Sequence, residues 1–147
     1  MAIAVNLGTN VFITSACAAP RTCAGGIFAD TARLGSVDPG TRPTVRRQRR
    51  VEIDVARIRQ PRDELTLNLF PDTCVIARRE RVTELRPGVM QWEGRVAGAP
   101  PGTVTLIVDG EVVVGTIRVG SELYEIRYLG EGVHVVNDVD ASKFPRD

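Results

Sequence analysis

Apolar and polar residues alternate with a period of two over most of the chain after residue 44. The first such runs lie at 51–55 and 65–70, and others follow as far as residue 136. A period of two places successive side chains on opposite faces of a strand, so each run predicts a half-buried β-strand. Turn residues recur about every eight to twelve positions, and no long amphipathic helix interrupts the runs. The pattern predicts an all-β fold, an antiparallel meander that forms a barrel-like or sandwich sheet.

Two of these runs carry more specific predictions. The stretch 73–85 predicts a long strand that contains a bulge, with Cys74, Ile76 and Val82 on its apolar face. An Asp109-Gly110 pair lies between two strand runs, which predicts a hairpin with a type I′ turn.

The first 44 residues lack any sustained period, and turn-forming residues cluster at 38–43. They predict a leader or flexible N-terminal segment at 1–44, followed by a β-rich domain at 45–147. The first twenty residues are apolar, but no Lys or Arg precedes them and polar residues interrupt them. An export signal and a loosely attached leader both remain open for this stretch.

The totals restrict the classes of partner. A chain of 147 residues with a net charge of +1 is one ordinary domain without a strong field for nucleic acid or a membrane surface. No stretch approaches a transmembrane span. The basic run at 46–50 has no interleaved aromatic residue, so it predicts a solvated strand that guards a sheet edge and not a surface for stacking bases.

Cysteine and histidine offer little chemistry. With three cysteines at most one disulfide can close, and Cys17 and Cys23 are near enough in sequence to form a small loop in an oxidising compartment. Cys74 has apolar neighbours, which favours a buried small residue over a thiolate offered to a partner's zinc. His134 is the only histidine, and its alternating strand predicts a rim or surface position. No phosphate loop, nucleophile elbow or multi-histidine motif is present, so we expect no catalysis, cofactor or metal site.

A succession of segments between residues 46 and 145 points to one family. The segments are LTLNLFPD (65–72), RERV (79–82), WEGRV (92–96), GTVTLIV (102–108), GTIR (115–118), YEIRY (124–128), GVH (132–134) and VDASKFP (139–145). In this order they resemble the N-terminal propeptide of secreted bacterial zinc metalloendopeptidases of the reprolysin-like and peptidyl-Asp type.

The resemblance implies a non-catalytic domain that assists the folding of a zinc metalloprotease catalytic domain and inhibits it, in a secreted or cell-envelope setting. It also implies that the exit from the last strand runs toward the protease cleft, with partner contacts at Asp140, Lys143, Phe144, Pro145 and Asp147 and a possible approach of Cys74 to the zinc. The alternative is a free-standing β-sheet interaction domain with an unrelated partner.

Overall fold

The computed structural model describes residues 23–145, which contain nine β-strands and two short helices. The elements are β1 Phe28–Asp30, β2 Val45–Ile53, α1 Val55–Arg59, β3 Glu64–Phe70, β4 Thr73–Arg86, β5 Val89–Val96, β6 Gly102–Asp109, β7 Val112–Val119, β8 Glu122–Gly130, β9 Val133–Val139 and a 3₁₀ turn Ala141–Lys143.

All nine strands belong to one antiparallel sheet. Strands β3 to β9 form a meander, β9 pairs with β2, and β2 pairs with β1. The two outer strands of this order, β1 and β3, approach each other. Ile27 N donates to Thr66 O at 3.1 Å, and the Asn68 side chain donates to Phe28 O at 2.7 Å and accepts from Phe28 N at 2.9 Å. The sheet is therefore a nearly closed barrel, which confirms the predicted all-β class.

Alternating side chains fill the interior of the barrel. Trp92 is 1% exposed and lies over Gly94, where any added Cβ would meet its ring at 2.5 Å. The other buried members of this core include Val51, Leu65, Leu67, Leu69, Val75, Ala77, Val104, Leu106, Val108, Val113, Ile117, Tyr124, Ile126 and Val136. Burial of these side chains inside the barrel supplies its main stabilisation.

A disulfide joins Cys23 to Cys74, with a Cα–Cα distance of 5.5 Å and a sequence separation of 51 residues. The bond ties the segment before β1 to the start of β4 and so crosses the seam between β1 and β3. The predicted small loop between Cys17 and Cys23 is wrong, because Cys23 is bonded elsewhere; Cys17 itself lies outside the described residues. Cys74 is exposed and not a buried small residue.

Residues 31–44, here called the strap, run over the outer face of β8 and β9. Ser36 N and Val37 N donate to Leu129 O at 2.7 and 2.8 Å. Beneath the strap lies a second apolar cluster, which consists of Leu129, Val133 and Val135. Regular structure thus does not begin at residue 45 as predicted: β1 and the strap already pack on the barrel, while residues 1–22 lie outside the described part.

Strand β4 confirms one prediction and reverses another. Its pairing with β5 shifts between Arg79 and Arg81, which is the predicted bulge. Val75 and Ala77 face the core, whereas Cys74 and Ile76 are exposed, so the predicted apolar face is wrong before the shift. Val82, which lies beyond the shift, pairs with the core residue Trp92 but remains 45% exposed. Apolar residues occupy both registers of this stretch, and only the pairing with β3 and β5 decides which one faces inward.

The hairpin between β6 and β7 forms as predicted but with a different turn. Asp109 pairs with Val112, so the two loop residues are Gly110 and Glu111. Gly110 has a φ of 59° and Glu111 has no positive φ, which is the pattern of a type II′ turn and not of type I′. The run at 51–55 also ends earlier than predicted, because Asp54 caps the N-terminus of α1 by accepting from Arg57 N at 3.3 Å.

Candidate functional site

The basic run lies in β2, where β9 pairs with it on one side, while β1 on the other side pairs only with residues 51–53. A bulge between Val45 and Arg47 directs two neighbouring guanidinium groups to one carboxylate: Arg46 Nε and Arg47 Nε donate to the oxygens of Asp138 at 3.0 and 3.1 Å. The hydrogen bond to Asp138 is the main cause that raises the pKa of Arg46. The run therefore borders an open edge as predicted, but Arg46 and Arg47 are not merely solvated, because both bind Asp138 and so stabilise the fold.

Arg47 also closes this end of the barrel. Its guanidinium carbon lies 4.0 Å from the centre of the Phe70 ring, and Nη1 donates to the Asp72 carboxylate at 2.9 Å. Hydrogen bonds from Thr73 and then from Arg47 lower the pKa of Asp72. The cluster is satisfied by its own members, so it offers little to a ligand.

His134 lies inside the opposite end of the barrel and is 1% exposed, so its predicted rim or surface position is wrong. Its Nε2 accepts from Val113 N at 3.0 Å, while Nδ1 has no hydrogen-bond partner among residues 23–145. Burial lowers the pKa of His134 to about 4, and the Gly132 backbone and the Glu111 charge oppose this only in part. The neutral imidazole thus accepts the hydrogen bond of Val113 N, which β8 does not accept because its pairing with β7 ends at Gly115 and Ile126.

The predicted partner contacts at the end of the chain lie just beyond β9. The Asp140 carboxylate accepts from Ser142 N and Ser142 Oγ at 3.1 and 2.6 Å, and these bonds lower the pKa of Asp140. Lys143 Nζ donates to Pro43 O of the strap at 3.4 Å. Phe144 is 46% exposed and Pro145 is exposed, whereas Asp147 lies outside the described residues.

Cys74 does not present a thiolate in this structure, because its sulfur is bonded to Cys23. The idea that it approaches a partner's zinc is therefore incompatible with the oxidised chain. Residues 23–145 contain no group of three or more His, Cys, Asp or Glu side chains arranged to hold a metal ion. None of the helices in the described part is long and apolar enough to cross a membrane.

The outer face of the sheet carries a groove that runs along β7 and β8. One concave region of about 410 Å³ is lined by Thr105, Ile107, Val114, Gly115, Thr116, Glu125, Ile126 and Arg127. A second, of about 230 Å³, is lined by Arg42, Thr116, Arg118, Leu123, Glu125, Val139 and Phe144. Both regions share Thr116 and Glu125, so they adjoin and form one depression, here called the outer groove. Its floor is made mostly of short β-branched side chains.

Positive charge exceeds negative charge in the outer groove. The Glu125 carboxylate is engaged by the Arg42 guanidinium and accepts from Asn137 Nδ2 at 3.3 Å. Arg118 and Arg127 form no ion pair with any carboxylate of residues 23–145. The groove therefore has two arginines available for an anionic partner group.

Sequence reasoning missed this groove, although a signal was present. In β6 and β7 apolar or β-branched residues occupy both faces, as Ile107 and Val114 do on the outside while Leu106 and Val113 fill the core. Val114 remains 37% exposed. Apolar residues on the solvent face of a half-buried strand indicate a surface that something else covers.

Comparisons with known proteins give sequence similarity to one kind of enzyme. No protein-family model matches the chain. It is 30% identical over 109 residues to a peptidyl-Asp metalloendopeptidase of Xanthomonas campestris pv. campestris, which covers 66% of this chain and 26% of that protein. It is 32% identical over 119 residues to a peptidyl-Asp metalloendopeptidase of Stenotrophomonas maltophilia, which covers 71% of this chain and 28% of that protein. The chain thus spans little more than a quarter of these relatives.

A solved structure shares the fold. A chain from the structure of a chaperone–substrate complex superimposes with a TM-score of 0.55 at 12% sequence identity, over 82% of this chain and 95% of that chain. Identity this low supports the architecture alone. The similarity to metalloendopeptidases agrees with the family resemblance found in the sequence.

Proposed function

We propose that the chain is a non-catalytic, propeptide-like domain that binds the catalytic domain of a zinc metalloprotease, assists its folding and inhibits it. The observation that carries the proposal is the similarity to peptidyl-Asp metalloendopeptidases over only 26–28% of their length. In the described part, that similarity falls on a β-barrel whose buried polar residues serve the fold. One accessible feature of this barrel is the outer groove, which is suited to a protein segment.

The disulfide supports a secreted or cell-envelope location. Disulfides form and persist in oxidising compartments, and the Cys23–Cys74 bond crosses the seam at which the barrel closes. An exported partner, such as a secreted protease, would share that compartment.

The exit from β9 is the proposed inhibitory segment. Phe144 and Pro145 are exposed and leave the barrel beside the outer groove. An extended segment can occupy substrate subsites by edge pairing. Asp140 caps the 3₁₀ turn through Ser142, so its carboxylate orients the exit, while Phe144, Pro145 and Asp147 remain the proposed direct contacts.

The test uses the intact oxidised chain and the purified catalytic domain of the Xanthomonas peptidyl-Asp metalloendopeptidase. We expect the chain to slow peptide-substrate cleavage in proportion to its concentration, and a variant without residues 140–147, which keeps all of β9, to inhibit less. The matched control is Arg78→Gln, which changes an exposed residue of β4 away from the exit. Unchanged proteolysis at chain concentrations well above that of the enzyme would contradict the proposal.

The second candidate is a free-standing interaction domain with an unrelated partner. The outer groove favours it, because two arginines and an apolar floor can bind a protein segment whatever that protein does. Capture of a partner that is not a protease, lost when Arg118 and Arg127 are replaced, would select this candidate.

A further inference from the structure

We propose that the outer groove binds an extended acidic segment of a partner protein, in which residues i and i+4 are Asp or Glu and residue i+2 is small and apolar. The inference goes beyond the proposed function, because it holds whether or not the partner is a protease. It rests on the direction of the groove, the spacing of its arginines and the character of its floor.

The groove runs parallel to the strands. On β7 the outward positions are Val114, Thr116 and Arg118, and Thr116 pairs with Glu125 while Arg118 pairs with Leu123 on β8. The depression therefore passes over successive rows of the same sheet face. A segment that follows it must be extended, because only an extended chain keeps pace with strands that rise about 3.3 Å per residue.

The two arginines define the spacing. Arg118 belongs to the row of Leu123, and Arg127 lies on the same strand as Leu123, four residues further along and on the same face. Four strand residues separate the rows by about 13 Å. In an extended segment, side chains at i and i+4 point to the same side at this separation, so one carboxylate meets each arginine.

The floor between the arginines defines the middle position. Thr105 and Thr116 are paired neighbours with short side chains, and Ile107 with Val114 form the next row. Glu125 borders this part but is already engaged by Arg42 and Asn137. A short aliphatic side chain at i+2 covers this floor without burying a charge, whereas an acidic one would meet Glu125.

The structure also sets the bounds of the segment. Phe144 and Leu123 line the groove beside Arg118. Beside Arg127 the ladder between β7 and β8 has ended, since their last paired residues at that end are Gly115 and Ile126. We therefore expect about five residues of the partner to lie in the groove, which favours modest affinity that depends on salt.

The probe is a fluorescein-labelled peptide of nine residues with Asp at its third and seventh positions, Val at its fifth and Ser elsewhere. Fluorescence anisotropy at low salt measures its affinity for the whole oxidised chain. We expect Arg118→Gln and Arg127→Gln each to weaken binding about threefold to fivefold, and the double variant about tenfold or more. The control Arg78→Gln removes one exposed charge from β4 and should leave the affinity unchanged.

Two altered peptides test the geometry. Moving the second Asp from the seventh to the sixth position places the carboxylates on opposite sides of an extended chain and should weaken binding as much as losing one arginine. Replacing both Asp by Asn should remove the salt dependence. Equal binding of the Asn peptide, or an unaffected double variant, would overturn the proposal.

A steric variant separates the groove from general attraction between charges. Thr116→Trp fills the floor while keeping both arginines, so it should abolish binding, and circular dichroism verifies that the variant is folded. Undiminished binding to a folded Thr116→Trp chain would refute the groove as the site. Sedimentation without peptide identifies self-association; wild-type dimers that dissociate in the Arg118→Gln/Arg127→Gln variant would make the occupant a second copy and overturn an external partner.

Discussion

Strand β9 carries two buried ionisable residues, His134 and Asp138, which lie four positions apart and face the barrel interior. They differ in whether charged partners surround them. Asp138 is 7% exposed and forms ion pairs with two guanidinium groups. His134 is 1% exposed, and its lowered pKa of about 4 keeps it neutral at ordinary pH. The difference lies in the neighbours, since β2 brings Arg46 and Arg47 to one end, whereas the other offers chiefly Glu111, which Tyr128 already engages. Burial preserves a charge only where the chain supplies a partner.

Loss of the disulfide across the barrel seam should have the largest effect on stability, because both ends of β9 depend on the closed barrel. The Cys23→Ser/Cys74→Ser variant loses a cross-link that closes a loop of 51 residues. We expect the free energy of unfolding to fall by about 4 kcal/mol, because the unfolded chain gains entropy. Urea denaturation followed by the fluorescence of the buried Trp92 measures the change, with Cys17→Ser as control. A loss equal to that of the control would show that the seam holds without the bond.

The pH dependence of stability tests the neutral end. The pKa of His134 is lowered from 6.5 to about 4, so the unfolded chain binds the extra proton first as the pH falls. The contribution is complete above pH 6.5 and declines toward pH 4, by about 3 kcal/mol in total. Denaturation curves between pH 7 and pH 4 measure this decline.

His134→Gln provides the matched variant for this prediction. Glutamine can accept from Val113 N and cannot titrate. The stability of the wild type relative to the variant should therefore fall by about 3 kcal/mol from pH 7 to pH 4. Carboxylates elsewhere titrate in both proteins and cancel in the difference. A difference that stays constant with pH would show that His134 does not become charged on unfolding.

Removing the charge of Asp138 tests the charged end. Asp138→Asn keeps the size of the side chain but leaves Arg47 without one of its two carboxylates. We expect a loss of about 2 kcal/mol, because charge-assisted hydrogen bonds in a buried position are replaced by weaker ones. Thermal unfolding at neutral pH measures the loss. A gain in stability would mean that the desolvation of the Asp138 carboxylate costs more free energy than its ion pairs with Arg46 and Arg47 contribute.

An exposed ion pair should show the smallest effect and so sharpen the comparison. Asp109 pairs with Arg86 at 3.3 Å, and both side chains are more than half exposed. Asp109→Asn should change stability by no more than about 0.5 kcal/mol, since solvent screens such pairs. The same thermal measurement applies, and a loss as large as that of Asp138→Asn would remove burial as the explanation.

The strands could be predicted from sequence because their cause is local. The alternation at 65–70 placed Leu65, Leu67 and Leu69 in the core, and all three are buried. The buried face of β4 was not predicted correctly, because Val75 and Ile76 are both apolar and the alternation alone does not select one register. The turn was predicted at Asp109-Gly110 but is formed by Gly110 and Glu111. Asp109 instead pairs with Val112, and this pairing depends on the neighbouring strands.

The candidate site was harder to predict because its parts are distant in sequence. In the sequence Arg118 and Arg127 look like ordinary surface charges, and only the register of β7 and β8 shows that they lie around one groove. His134 was predicted to be exposed because its strand alternates, yet every residue of β9 is buried, since the strap covers one face and the barrel encloses the other. The disulfide also joins residues that only the closed sheet brings together.

The sequence alone determined the all-β class, the positions of most strands and turns, and the family resemblance, because these depend on periodicity and on short segments read in order. The tertiary structure decided which faces are buried, that the sheet closes, and which ionisable groups have partners. The physical reason is range: strand and turn preferences act between neighbours, whereas burial and pairing depend on residues far apart in the chain that only the folded sheet brings into contact.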